Sequence, residues 1–413
     1  MSRRVVVTGM GIVSALGLDL DTNWKNLVAG KSGVKRITLF DASRNQTQIA
    51  AEIPSGFEEH SRGYIKKRAA GQMTRVTRMC VVAARDAVYD SGIDFTRADK
   101  SRCSVIMGVV NTGNSSTEKD TTPQNTVFKS MTNSMSAWIS LDYQLTGPNF
   151  AVNTACASSA YALALGSDMI RTNHSDVVIV GGADSIINRE EIEGFNALYA
   201  LSVSNDPPEQ ASKPFSRDRD GFVIGEGAGV MILEGEDTAR ERNARIYAEL
   251  AGYGITSEGY NIMAPMKDGA GMAMTMEKAL QSAGITRDQV DYINAHGTAT
   301  ELNDRYETMA IKQVFGERAF SIPVSSTKSM LGHTIGAAGT IEGIVTVMSI
   351  HNDILTPTIN LKNPDPDLDL DYVPNFSRKQ HIRAALSNSF GFGGHNATLV
   401  FRKYDPASKT SEF

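Results

Sequence analysis

The chain has 413 residues, 41% hydrophobic and 7% aromatic, enough for two or three domains with a large buried core. A net charge of −5, with no basic stretch interleaved with aromatics, argues against nucleic-acid binding. The apolar runs are too short for a signal peptide or a membrane span. Cys80, Cys103 and Cys156 are widely spaced with no CxxC pair, which predicts a reducing cytoplasm rather than a disulfide framework or a zinc site.

In chain order, Arg4–Thr8 predicts a buried strand. Gly9-Met-Gly-Ile-Val-Ser14 begins like a dinucleotide fingerprint, but Ser14 stands at the third glycine and no acidic residue closes a second strand about 20 positions on. Gly9–Gly17 therefore reads as a tight turn. Asp21–Val28 has good capping residues and predicts a short helix ending at Gly30. Lys66–Asp90 is helix-like, with Val76, Met79, Cys80, Ala83 and Ala87 on one face. Cys103–Gly108 is a strand, Thr112–Asp120 a polar loop and Thr126–Tyr143 a Met-rich helix. Phe150–Val152 is a short strand, and after it Asn153-Thr-Ala-Cys156-Ala-Ser-Ser-Ala160 runs into small and apolar residues at helical spacing up to Arg171. Cys156 thus falls at an elbow between strand and helix. There the helix dipole and free N–H groups favour thiolate, so its pKa is expected below the free value of about 8.5. Asp176–Gly182 is a second uninterrupted apolar run, of the parallel-strand kind.

The second half repeats the plan. Asp291–Ala295 and Ile322–Ser326 predict strands, and Gly332–Ile350 a second helix of small residues like the one after Cys156. Arg383–Ser387 and Ala397–Phe401 predict strands around Phe390-Gly-Phe-Gly-Gly-His-Asn396. Alternating strands and helices, twice over and without a linker, imply an α/β architecture of two related halves, residues 1–244 and 245–405, with a flexible tail at 406–413.

Three stretches join Cys156. Asn294-Ala-His-Gly-Thr-Ala-Thr300 places His296 at a strand end, Ser325–His333 puts Lys328 and His333 before the second small-residue helix, and Phe390–Gly394 is a loop whose N–H groups can approach a ligand. All lie at strand ends, where parallel α/β sheets build their sites. Cys with His suggests acyl transfer through a thioester, and a second, neutral His could stabilise an enolate.

In order and spacing, Thr154–Ser159, Asn294–Thr300, Ser326–His333 and Asn388–Gly394 resemble the elongating β-ketoacyl-acyl-carrier-protein synthases, with similarity from about Arg3 to Phe401. The resemblance implies the duplicated thiolase fold, two βαβαβαββ-like halves in five α-β-α-β-α layers, usually dimeric. It implies decarboxylative Claisen condensation of an acyl thioester with malonyl-carrier protein, with no metal or cofactor beyond the carrier's phosphopantetheine arm. The Cys-His-His set separates the chain from initiating synthases, which carry Asn for the second His, and from thiolases, which use a second Cys. An intact Cys156 separates it from chain-length-factor relatives, which lack the nucleophile.

Carried over by position, Cys156 would be acylated, and its N–H with that of Phe392 would form the oxyanion hole. His296 and His333 would bind the malonyl thioester and promote decarboxylation. Lys328 would hold a charge network with Asp304 or Glu307. Thr298 and Thr300 would bind pantetheine, and Phe392, beside Phe390, would gate the acyl pocket. Three positions depart from the housekeeping fatty-acid enzymes: Val110–Ser115 replaces a glycine-rich turn, His395 stands where Thr usually follows the GFGG loop, and Thr126-Val127 is small where a bulky aromatic is common. These departures favour a type II polyketide or polyene ketosynthase paired with a chain-length-factor-like homologue, over a homodimeric fatty-acid elongation enzyme. A non-catalytic partner subunit is a remote third reading.

Overall fold

The computed structural model describes residues 3–112 and 123–407. Its centre is a mixed sheet of ten strands: β1 (Val5–Val13), β2 (Cys103–Gly108), β3 (Asn149–Val152), β4 (Val177–Asp184), β5 (Gly227–Gly235), β6 (Ala248–Ser257), β7 (Tyr292–Asn294), β8 (Val324–Ser325), β9 (Ala384–Gly391) and β10 (His395–Arg402). Counted outward from the middle, the first half runs β1-β5-β4-β2-β3 and the second β6-β10-β9-β7-β8. The order is the same in both. In each half the three outer strands are parallel and the two inner ones antiparallel. The halves join where Val6 and Val7 of β1 pair with Glu249 and Ala248 of β6.

Five layers follow from which residues each strand face buries. Val178 and Val180 of β4 and Met231 and Leu233 of β5 face a central core. So do Ala397, Leu399 and Phe401 of β10. The alternate residues Val177, Ile179, Val230 and Ile232 face an outer core under α1 (Arg75–Ser91). Leu386 and Val400 face a third core, under α3 (Ala270–Ala283) and α4 (Glu301–Phe315). The central layer is α2 (Ser158–Arg171) with α5 (Ala338–Asn352), packed on each other and on both halves of the sheet. Strands covered on both faces must be apolar throughout, which is why their sequences read as unbroken hydrophobic runs. This is the duplicated thiolase architecture.

Several local expectations are corrected. β1 runs through Gly9 and Gly11 to Val13, and the tight turn expected over Gly9–Gly17 is confined to Ser14–Gly17, whose N–H groups and carbonyls bond each other at 2.9 and 3.1 Å. A Cβ on Gly9 or Gly11 would lie 2.2 Å from the carbonyl oxygen of Ala87 or 2.0 Å from that of Ala83, so the glycines admit the backbone of α1. The region 66–90 is a short helix, Lys67–Ala70, then α1, which Thr74 caps by accepting from the N–H of Thr77. The single helix expected over Thr126–Tyr143 is two, Pro123–Ser130 and Ser134–Tyr143. α5 starts at Ala338, preceded by a 3₁₀ turn, Ile335–Ala337. Most of the polar loop expected at 112–120, including Gly113–Ser115, and the tail from 408 lie outside the described residues. Among the described residues no helix is long and apolar enough to cross a membrane.

Candidate active site

Each catalytic candidate follows a parallel strand. Cys156 comes after β3, His296 after β7, Lys328 after β8 and Phe392 after β9. The Cys156 elbow is tight. Ala155 takes a left-handed φ of 50°, a conformation costing a non-glycine residue about 1–3 kcal/mol, held here by local hydrogen bonds. Ser158 Oγ accepts from the Thr154 N–H at 2.9 Å and donates to the Ala155 carbonyl at 2.7 Å, and the Ala157 N–H donates to the Thr154 carbonyl at 3.1 Å. Glycines bring the two central helices to this point. A Cβ on Gly108 would lie 2.4 Å from Ser159 N, and one on Gly339 2.5 Å from Ala160 N. The Thr340 N–H donates to Ser159 Oγ at 2.9 Å.

The Phe390–Gly394 loop comes down over this elbow. A Cβ on Gly391 would sit 3.0 Å from the Thr154 carbonyl oxygen and 3.1 Å from Cys156 N, so a side chain there would push β9 and the elbow apart. The backbone N–H groups of Phe392 and of Cys156 itself lie near enough to the Cys156 sulfur to act on its charge. They stabilise negative charge there, as does the nearby Lys328 ammonium, yet burial outweighs them and pushes the thiol up to about 11. The depressed pKa expected from the helix terminus is therefore corrected. An almost fully enclosed sulfur loses more hydration than two N–H groups and one cation return. Cys80 and Cys103 are pushed by burial still higher, to about 12.

Opposite the sulfur stand two histidines, their ring centroids 5.3 Å apart and nearly perpendicular. Lys328 Nζ, which can only donate, lies 3.3 Å from His296 Nδ1; that nitrogen accepts, so the proton of the neutral ring is on Nε2. His333 Nδ1 accepts the Ile335 N–H at 3.3 Å, which places its proton on Nε2 too. His333 Nε2 is buried and has no hydrogen-bond partner. Burial first, then Lys328, and for His296 also His333, holds both rings well below the ordinary histidine pKa. Both are neutral donors at physiological pH.

Lys328 does not bond to Asp304 or Glu307 as expected. Its ammonium pairs with Glu342 of α5, and both side chains are buried. Burial pushes the Glu342 carboxyl up against the pull of that ammonium. Glu307 instead accepts the backbone N–H groups of His296 and Gly297, each at 2.8 Å, and the Asn388 amide at 3.1 Å. Asp304 accepts the Phe215 and Ala299 N–H groups. The two carboxylates shape the histidine loop without touching the lysine. Glu342 was missed, although an acidic residue within the apolar run 338–350 is itself a sign of a buried charge needing a partner. Asp184, at the end of β4, was missed too: its carboxyl accepts the Ser185 and Gly336 N–H groups, and burial pushes it up to about 8.

Cys156, His296 and His333 open into one cavity of about 340 Å³, which Thr298, Thr300, Phe390 and Phe392 also line. The Thr298 and Thr300 hydroxyls lie 2.9 Å apart and hydrogen-bonded. Apolar Val110, Phe195, Phe222 and Ile335 form another part of the wall. Thr126 and Val127 do not line it, and Val127 is exposed. Among the described residues, no group of His, Cys, Asp and Glu could hold a metal ion.

A model of the β-ketoacyl synthase N-terminal domain matches residues 2–239, and one of the C-terminal domain residues 247–362. The chain belongs to the β-ketoacyl synthase family. As a β-ketoacyl synthase it is an acyltransferase of the condensing type. It is 41% identical to the 3-oxoacyl-[acyl-carrier-protein] synthase 2 of Coxiella burnetii, over 97% of this chain and 99% of that one. It is 40% identical to the synthase of the same name from Staphylococcus aureus, over 98% and 99%. Among solved structures it resembles a type II polyketide ketosynthase in complex with its acyl-carrier protein and bound to the hexaketide. There the TM-score is 0.88 at 32% identity, covering 98% of this chain and 100% of that one. The ishigamide ketosynthase/chain length factor gives a TM-score of 0.89 at 32% identity, with the same coverage.

Proposed function

We propose that this β-ketoacyl synthase condenses a Cys156-bound acyl group with malonyl-carrier protein, losing carbon dioxide, as the ketosynthase of a type II polyketide or polyene pathway. The observation that carries this reading is one cavity lined together by Cys156, whose charge the Phe392 and Cys156 N–H groups favour, and by two neutral histidines with their protons on Nε2. In the first half-reaction the sulfur attacks the acyl thioester carbonyl, whose oxygen takes negative charge in the oxyanion hole of Cys156 and Phe392. The carbon–sulfur bond to the carrier breaks, and the departing pantetheine sulfur leaves with the thiol proton. In the second, the malonyl thioester carbonyl accepts from His296 and His333. The bond to its carboxylate breaks, carbon dioxide leaves, and the electron pair becomes the enolate that attacks the acyl-cysteine carbonyl. The acyl–sulfur bond then breaks, releasing the β-ketoacyl carrier product, and the Cys156 thiolate takes up a proton. Lys328, held by Glu342, positions His296. Thr298 and Thr300 bind the pantetheine arm, and Phe392, beside Phe390, gates the acyl pocket.

The enzyme needs no cofactor beyond that arm, acts in the cytoplasm, and divides near residue 244. Its partner is a chain-length-factor-like homologue, a reading favoured by the likeness to the ishigamide ketosynthase/chain length factor. The second reading, homodimeric fatty-acid elongation, is favoured by the higher identity to synthases of the 3-oxoacyl-[acyl-carrier-protein] synthase 2 type.

The test separates the two half-reactions. Cys156→Ala should abolish acyl transfer while retaining malonyl decarboxylation. His333→Ala should still acylate Cys156 slowly but lose decarboxylation by about 10²–10³-fold, the cost of removing one oxyanion donor. Intact-protein mass reports the adduct, and carbon dioxide release reports the other step. Unchanged decarboxylation in His333→Ala would make that histidine structural and the mechanism wrong.

A further inference from the structure

His395 lies outside the cavity wall, although Gly394 and Asn396 on either side line it. Its imidazole fills the space beside Gly393: a Cβ on that glycine would lie 3.1 Å from His395 Cδ2 and 3.2 Å from Nε2. Gly393 and Gly394 both take left-handed φ, 80° and 73°, so the loop turns directly over the ring. On another side the ring meets Tyr161 in an edge-to-face contact, centroids 6.4 Å apart. Tyr161 belongs to α2, its N–H donating to the Ala157 carbonyl at 2.9 Å, and its hydroxyl is fixed on the Thr256 carbonyl at 2.9 Å. His395 thus touches the helix that follows Cys156 and the loop that bears the Phe392 N–H.

The loop has one further tether. The Gly393 N–H donates to the Ile262 carbonyl at 2.7 Å, and Gly394 accepts from the Glu258 N–H at 3.0 Å. Those bonds hold the loop from the β6 side. On the α2 side Gly391 packs against the Thr154 carbonyl and the Cys156 nitrogen, and further along the loop the His395 ring fills the gap between Gly393 and Tyr161.

We propose that His395 is a positioning residue, a rigid spacer that sets the separation of the two oxyanion donors by standing between Tyr161 and Gly393. A planar ring loses little freedom on burial and has a fixed thickness. A side chain without a ring would not reach both neighbours, whereas the His395 ring meets Tyr161 and Gly393 together. Oxyanion donors are effective only within a few tenths of an ångström of their best distance, so a spacer at this point acts on rate without touching substrate.

The inference rests on the proposed role of Cys156, and the experiment keeps the two apart. Wild type, His395→Ala and His395→Phe are compared as full chains for the rate of acyl-adduct formation on Cys156 and for malonyl decarboxylation, with thermal unfolding alongside. His395→Ala should acylate about 10–100-fold more slowly, part of the loss of a whole donor. Its decarboxylation, which uses the histidine pair, should stay within about twofold. His395→Phe, which keeps the ring, should recover acylation to within about threefold, with a pH profile parallel to wild type between pH 6 and 8. Unchanged acylation in His395→Ala, an equal fall in both half-reactions, or no recovery in His395→Phe would overturn the spacer role while leaving Cys156 as nucleophile. Absence of any adduct on the wild type would overturn the functional reading itself.

Discussion

The Cys156 thiol has no low resting pKa, so the nucleophilic role proposed for it rests on placement. Burial holds it at about 11 despite Lys328 and two N–H groups, so at neutral pH only about one molecule in 10⁴ carries a free thiolate. The sign is that of a neutral acid favoured by desolvation: raising pH converts thiol to thiolate, and the conversion is still rising at pH 9. Alkylation of Cys156 by iodoacetamide, followed by peptide mass spectrometry, should therefore climb about tenfold per pH unit from 7 to 9 with no plateau. A plateau below pH 8 would show that the helix terminus wins after all. The histidines have the opposite relation to charge. Both are pushed down by burial and stay neutral through the physiological range, as hydrogen-bond donors to a carbonyl require.

At the scale of elements, the site depends on two helix starts meeting with almost no space between them. Gly339→Ala tests this, because two effects compete. Alanine in a helix is favoured over glycine by about 1 kcal/mol, whereas a Cβ 2.5 Å from backbone at Ala160 forces repacking worth about 1–3 kcal/mol. Because the obstructing atom is backbone, we expect a net loss of stability in urea unfolding, together with a larger loss of acyl transfer as the start of α2 shifts. A more stable variant would show that the helices can separate freely. Such close approaches also explain what the sequence conceals. Most of the strands and both small-residue helices were legible because strands covered on two faces must be apolar throughout, whereas β6, interrupted by Glu249, Gly252 and Gly254, and the helices α3 and α4 were not read. Gly9 and Gly11 were misread as a turn because a glycine that admits a helix looks locally the same as one that bends a chain. The break between Ser130 and Ser134 and the true start of α5 leave no periodic signal either. At the site, the motifs located Cys156, both histidines, the two threonines and Phe390 and Phe392, all of which line one cavity, but not the apolar wall of Val110, Phe195, Phe222 and Ile335. Glu342 and Asp184 owe their contacts to partners distant in sequence.

For the whole molecule the open variable is the second subunit. β3 is the outermost strand of its half, and Phe128 and Leu141 on the neighbouring helices, with Met131 between them, are exposed. If the acyl pocket is completed by a Cys-lacking homologue, the purified chain should condense only short acyl groups, and co-expression with that homologue should restore long products. Native mass spectrometry beside product analysis checks this. A homodimer fully active on long chains would favour the fatty-acid reading instead.

The register of β1 has a consequence for how the chain is made. All nine of its residues are buried, yet it pairs with β5 and β6, more than 200 residues later in the sequence. At a synthesis rate of about 5–20 residues per second, the ribosome needs roughly 10–45 seconds to deliver those partners. For that interval Val5–Val13 is an apolar, β-prone segment with nowhere native to go. Folding of the first half waits on its last strand, and β1 is what a nascent-chain chaperone has to shield.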